Sequence, residues 1–160
     1  MLPEENLAHL LISKNLKIST VESCTGGLLS SVLTDISGSS KYITLNLITY
    51  SNEAKQKILK VAPEILKQYG AVSEQCAEAM ATGLFALTDS DICVSTTGIA
   101  GPTGGSSEKP VGLMFSAIHT KSMTKIYKIQ HPSNLSRRNL KKEFVNSVIK
   151  NIIEFIRENY

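Results

Sequence analysis

Tryptophan is absent from these 160 residues, and aromatic side chains make up only 6% of them. With no aromatics interleaved among basic residues, the chain lacks the stacking platform that single-stranded nucleic acid needs. Cysteine is scarce too: Cys24, Cys76 and Cys93 are odd in number and too widely spaced for a Cys-x-x-Cys pair. That argues against a disulfide scaffold or a structural zinc site and fits a reducing cytoplasm. His9, His119 and His131 are scattered, so neither a metal site nor a Ser-His-Asp arrangement is in view. No apolar run approaches the ~18–20 residues of a membrane span. The opening MLPEENLAHLLISKN lacks the basic and apolar regions of a secretory signal. Net charge is low as well, +3 from 17 Lys+Arg against 14 Asp+Glu, with much of the surplus after residue 120. Such an excess suits a phosphorylated metabolite better than nucleic acid.

What is present is ordinary for a soluble globular protein: 42% hydrophobic and 19% charged residues, with a mean hydropathy of zero. The length predicts a single domain over 1–160. Pro3, Glu4 and Glu5 make a good first turn, and Leu7, Leu10, Leu11 and Ile12 give an apolar face, so a helix is expected over 3–14. LKISTVES reads as a strand over 17–22, and TGGLLSSVLTDIS returns to helical spacing until Gly38. KYITLNLITY predicts a second strand over 42–50. Ser51 or Asn52 caps the next helix, Pro63 opens another that stops near Gly70, and Ser73 caps a third with small residues suited to close packing. DICVSTTG is a strand, and the segment 98–112, with five glycines and two prolines, is irregular. VGLMFSAIHT and TKIYKIQH form a hairpin across KSMT. The last 27 residues, with Phe144, Val148, Ile152 and Phe155 in register, form an amphipathic helix. This succession implies an α/β fold, a three-layer α/β/α sandwich with a mixed β-sheet whose antiparallel strands come from the hairpin.

Three stretches carry reactive or permissive residues. In VESCTGG, Ser23 sits where a strand gives way to a helix, and free N–H groups with the helix dipole are expected to favour an anion or oxyanion. In TYSNEAK, Lys55 follows Tyr50 by five residues and is a substitute base for a serine if desolvation lowers its pKa, with Tyr50 positioning or relaying the proton. TTGIAGPTGG exposes backbone N–H groups suited to a phosphate, yet matches neither a Walker A loop nor a dinucleotide fingerprint. Each has a plain reading alone: Ser23 or Thr25 as a helix cap, Lys55 as a surface lysine, the glycines as a loop. Cys24 is the rival nucleophile.

Together, in this order and spacing, ESCTGG, TYSNEAK and TTGIAGPTGG resemble the CinA carboxy-terminal domain family, whose characterised members are nicotinamide-nucleotide amidohydrolases. The similarity runs from the first helix to the last. It implies a serine amidohydrolase, needing no metal or other cofactor, that converts nicotinamide mononucleotide to nicotinic acid mononucleotide and ammonia. On motif matching the nucleophile falls on Ser23, the tyrosine on Tyr50 and the lysine on Lys55. Thr25, Gly26 and Gly27 match the turn that holds the oxyanion or phosphate. Thr97, Gly98, Gly101, Pro102, Thr103, Gly104 and Gly105 match the substrate-binding loop.

In the mechanism so implied, Lys55 takes the proton of Ser23, directly or through Tyr50, while Glu22 anchors the turn and Cys24 points away. The chain departs from the family pattern in HPSNLSRRNLKK, where a Gly-Asp-Arg cluster is usual and Arg137 is the best match for the arginine, and in LNLIT, where glycines often precede the tyrosine. The additional amino-terminal domain of larger members has no counterpart in these residues. The expected partner is a small-molecule nucleotide, with no nucleic acid and no membrane, and a homo-oligomer stays open. The competing expectations are a nucleotide-binding or regulatory module that keeps the pocket without turnover, and an amidase acting on another substrate.

Overall fold

The first strand, β1 (Ile18–Glu22), is buried at every position, which its β-branched residues and short length suit. In the computed structural model, which describes all 160 residues, it lies between two parallel neighbours, β2 (Ile43–Ile48) and β3 (Ile92–Gly98). Beyond β3 the hairpin of β4 (Leu113–His119) and β5 (Thr124–Gln130) runs antiparallel, giving the order β2-β1-β3-β4-β5. The mixed sheet is therefore as expected.

Helices cover both faces. On one, α1 (Pro3–Ser13), α2 (Leu28–Thr34) and α6 (Arg137–Asn159) share a core with the sheet, in which Leu7, Leu11, Phe144, Val148, Ile152 and Phe155 lose all exposure. Each such side chain contributes roughly 1.5–3 kcal/mol by leaving water. On the other face, α3 (Asn52–Leu59), α4 (Pro63–Tyr69) and α5 (Glu74–Phe85) pack through Leu59, Cys76, Met80 and Leu84. Gly83 explains how closely α5 approaches α3, since a Cβ there would stand 2.2 Å from the Leu59 carbonyl oxygen. Ser73 caps α5 by accepting from Cys76 N at 3.1 Å.

Three elements are shorter than expected. The second helix begins at Leu28 rather than 25, because Gly26 and Gly27 take left-handed φ values of 61° and 98° and hold the turn open ahead of it. It ends at Thr34, before a 3-10 turn over Ser39–Lys41. Strand β2 stops at Ile48, leaving Thr49 and the carbonyl of Tyr50 to turn toward Lys55, and α6 starts only after its Ser136 cap. The carboxyl ends of β1, β2 and β3 thus meet where the chain order reverses across the parallel part of the sheet. In open α/β sheets that crevice is the favoured place for a ligand.

Candidate active site

Ser23 leaves the end of β1 with its N–H donating to Thr96 O at 3.1 Å and approaching Thr96 Oγ1 at 3.3 Å. The turn that follows is built on Glu22, whose buried carboxylate accepts from Thr25 Oγ1 (2.6 Å), Leu29 N (2.8 Å), Ser30 N (3.0 Å) and Ser30 Oγ (2.6 Å). Thr25 Oγ1 also meets Thr96 Oγ1 at 2.9 Å, tying the turn to β3. Glu22 therefore anchors the turn and carries a negative charge to the positive end of α2. The helix terminus expected to favour a substrate anion is already satisfied from within the protein.

Lys55 comes to Ser23 from α3. Ser51 caps that helix by accepting from Ala54 N at 3.0 Å, and side chains on a helix lean toward its amino end, so Lys55 points back at the strand that leads into it. Only 1% exposed, its ammonium nitrogen lies 2.8 Å from Thr49 O, 3.0 Å from Tyr50 O and 3.0 Å from Ser23 Oγ. Burial lowers its pKa, and the nearby Cys76 and Cys24 thiols only partly oppose this. No carboxylate pairs with it; the chain's one ion pair is Lys125–Glu158, on other elements.

The geometry brings Lys55 directly to Ser23, without a phenol between them. Tyr50 takes part through its carbonyl, which also lies 3.5 Å from Ser23 Oγ. Its hydroxyl accepts instead from Arg137 Nη2 at 2.9 Å, and the ring is largely exposed. Arg137 donates a second bond, from Nη1 to Gly101 O at 2.7 Å, so its guanidinium braces the glycine-rich loop against Tyr50.

Of the expected site residues, Ser23, Tyr50, Lys55, Thr97, Gly98, Gly101, Thr103, Gly104 and Arg137 line one pocket of about 260 Å³. Thr25, Gly26, Gly27, Pro102 and Gly105 do not. Thr25 is fully buried in the Glu22 network, and Gly26 and Gly27 shape the turn beneath. Thr97 spends its hydroxyl on Ala71 O at 2.7 Å, joining β3 to the segment before α5. The N–H groups of Ala100, Gly101, Thr103 and Gly104 donate to nothing else in the protein, and all four residues line the pocket. The Cys24 thiol, 6% exposed and counted among the core side chains, is pushed up to about 12, chiefly by burial and then by Glu22. Cys24 lines the same pocket as Ser23, but burial disfavours its thiolate, and its N–H-anchored neighbour Ser23 is the side chain that Lys55 reaches.

Sequence reasoning missed Thr96, Thr49, Asn52 and the Ala71–Val72 wall. For Thr96 a signal existed: in STTG the side chains alternate faces, so Ser95 bonds Ala77 O on the α5 side while Thr96 faces the Ser23 turn. Thr49 acts through its carbonyl and leaves no side-chain trace.

The chain's relatives agree with this arrangement of elements. The sequence profile of the CinA C-terminal domain matches residues 3–156. A putative competence-damage inducible protein of Caldanaerobacter subterraneus subsp. tengcongensis is 46% identical over 134 residues, 84% of this chain and 32% of that protein. One from Clostridium novyi is 52% identical over 122 residues, 76% of this chain and 30% of that protein. The chain thus spans about a third of the length of these curated relatives. Among solved structures, the competence/damage inducible protein CihA from Agrobacterium tumefaciens superposes with a TM-score of 0.90 at 36% identity, covering 95% of this chain and 94% of that one. The competence damage-inducible protein A from Klebsiella pneumoniae gives 0.94 at 28% identity, covering 99% and 97%. A profile match over nearly every residue, joined to these identities, means that the chain belongs to the CinA C-terminal domain family.

Proposed function

We propose that this domain is a serine amidohydrolase in which Lys55 is the general base, and that its substrate is the carboxamide of nicotinamide mononucleotide. The observation that carries the reaction type is the 3.0 Å approach of Lys55 Nζ to Ser23 Oγ at the floor of a pocket. The substrate follows from the family resemblance of the three motifs.

Two of the three directions around Lys55 Nζ end on carbonyl oxygens, which only accept. The third ends on a hydroxyl, which can give or take. A neutral amine donates to Thr49 O and Tyr50 O and turns its lone pair to Ser23; an ammonium donates to all three. One proton can therefore pass between Ser23 and Lys55 without any heavy atom moving. The lowered pKa makes the amine accessible nearer neutrality.

In the first half-reaction the Ser23 proton goes to Lys55 Nζ as Oγ bonds the carboxamide carbon, and the carbonyl oxygen becomes an oxyanion. Free N–H groups at the pocket wall, in the glycine-rich loop, are suited to receive it. Lys55 then returns the proton to the departing nitrogen, the C–N bond breaks and ammonia leaves. In the second half, water attacks the Ser23 ester, Lys55 takes and returns a proton, and the acid departs with Ser23 restored.

Incubation of the purified protein with nicotinamide mononucleotide, followed by ammonia assay and product identification, tests the reading. Turnover is expected for wild type, with a loss of at least about a thousandfold in Ser23→Ala. Equal turnover by the two proteins would falsify the serine mechanism, and a panel of other primary amides tests the choice of substrate.

A further inference from the structure

Beside the pocket, the first two turns of α6 set Arg137, Arg138, Lys141 and Lys142 together, and with Leu28 these line a groove of about 550 Å³. Arg137 braces the loop, but folding gives no such reason for the other three. Cations near the amino end of a helix oppose its dipole, at roughly 0.3–1 kcal/mol each, and α6 has no acidic residue in its first turn. No carboxylate forms an ion pair with any of the four. Like charges gathered along one groove focus a positive field there, which favours an anion.

The groove continues the pocket. Arg137 lines both, and Lys141 Nζ lies over the catalytic turn, 3.4 Å from where a Cβ on Gly26 would stand. The pocket's 260 Å³ falls below the ~300–1,000 Å³ of sites that bury a whole drug-sized ligand, so a nucleotide seated there extends past its rim. Arg137, the match for the family's arginine, is already engaged: it holds Gly101 O and the Tyr50 hydroxyl. The side chains of Arg138, Lys141 and Lys142 have no hydrogen-bond partner in the protein, whereas Arg137 acts as a strut.

We infer that Arg138, Lys141 and Lys142 form the anion subsite of this domain, receiving the phosphate-bearing end of the ligand whose head lies at Ser23, while Arg137 positions the loop and Tyr50. For the amide head this rests on the amidohydrolase reading; for the anion it rests on the groove alone.

The test compares wild type with the groove triple variant Arg138→Gln/Lys141→Gln/Lys142→Gln and a control, Lys67→Gln/Lys128→Gln/Lys150→Gln, which removes the same charge elsewhere. In one arm, kcat/KM is measured for nicotinamide mononucleotide and nicotinamide riboside. Their ratio is expected to fall at least tenfold in the groove variant and to hold in the control. In the other arm, calorimetry follows inorganic pyrophosphate, a probe that needs no turnover. Wild type and control are expected to bind it at least tenfold more tightly than the groove variant, whose melting temperature is expected to match or exceed wild type. Pyrophosphate discrimination without hydrolysis of any amide defeats the amidohydrolase reading and supports the groove. Hydrolysis with the same substrate ratio in all three proteins, or pyrophosphate bound equally or by none, overturns the groove assignment.

Discussion

A lysine that is 1% exposed and has no carboxylate partner holds its proton against a desolvation cost, and that cost connects its chemistry to its stability. Lys55 has a pKa below 10.5 in the folded chain and near 10.5 unfolded. Between those values the unfolded chain binds more protons, so stability rises with pH across the window. Below the lowered pKa the penalty is present in full; above 10.5 it is gone. Lys55→Met is expected to abolish this rise, which urea titrations at pH 7 and pH 9.5 will read. On the proposed mechanism the same group sets activity, because only the amine accepts the Ser23 proton. On the acid side kcat/KM should drop about tenfold per pH unit, and Lys55→Ala should lose roughly 10²–10⁴-fold. Tyr50→Phe separates the direct route from a phenolic relay: kcat within about threefold of wild type, with KM raised through the lost Arg137 contact, is the outcome that the 3.0 Å Ser23–Lys55 approach predicts. Ser23 and Lys55 were legible as a pair only through the motifs around them. The part played by Tyr50 was not, since a main-chain carbonyl is common to every residue type and the phenol drew attention instead.

At the scale of elements, the βα turn depends on one carboxylate with four short bonds. Glu22→Gln keeps the size but exchanges an acceptor oxygen for a donor that meets N–H and O–H groups. The expected loss is about 2–4 kcal/mol by chemical denaturation, with kcat falling as Ser23 loses its register to Thr96. The strand–turn–helix order was readable from VESCTGG, and so was the anchoring role of Glu22. What the glycines did was not: they matched a turn holding the oxyanion or phosphate, whereas their left-handed φ values shape the turn and delay α2. Gly27→Ala faces both that φ of 98° and the Ile48 methyl 2.9 Å from its Cβ, so it should be destabilising by more than the ~1 kcal/mol of a backbone penalty alone. Thermal unfolding gives the comparison.

Across the whole molecule, the pocket end of the sheet joins its most and least enclosed strands. Strand β1 is buried throughout and paired on both sides, whereas β2 is an edge with part-exposed residues, and its pairing with β1 shifts register near Ser19. Amide exchange should be slowest in β1, β3 and β4 and faster in β2. The layer order was legible because α1, α2 and α6 carried apolar stripes and the strands alternated with helices; the ends of β2 and α2 were not, because side-chain patterns continue past the point where the backbone turns. From the end of β2 come the two carbonyls that hold Lys55, and they belong to the chain direction rather than to any side chain. The Thr49 hydroxyl, buried with no partner, is dispensable on this view, and Thr49→Val should add about 1 kcal/mol of stability with turnover kept. In evolutionary terms the proposed proton chemistry is partly written in main-chain atoms that every amino acid carries, so substitution at positions 49 and 50 leaves those oxygens in place, and at position 50 it costs the hydroxyl contact with Arg137. A saturation library at position 50 should return variants that keep kcat and differ in KM, each leaving the same oxygen in place while losing the hydroxyl that holds Arg137.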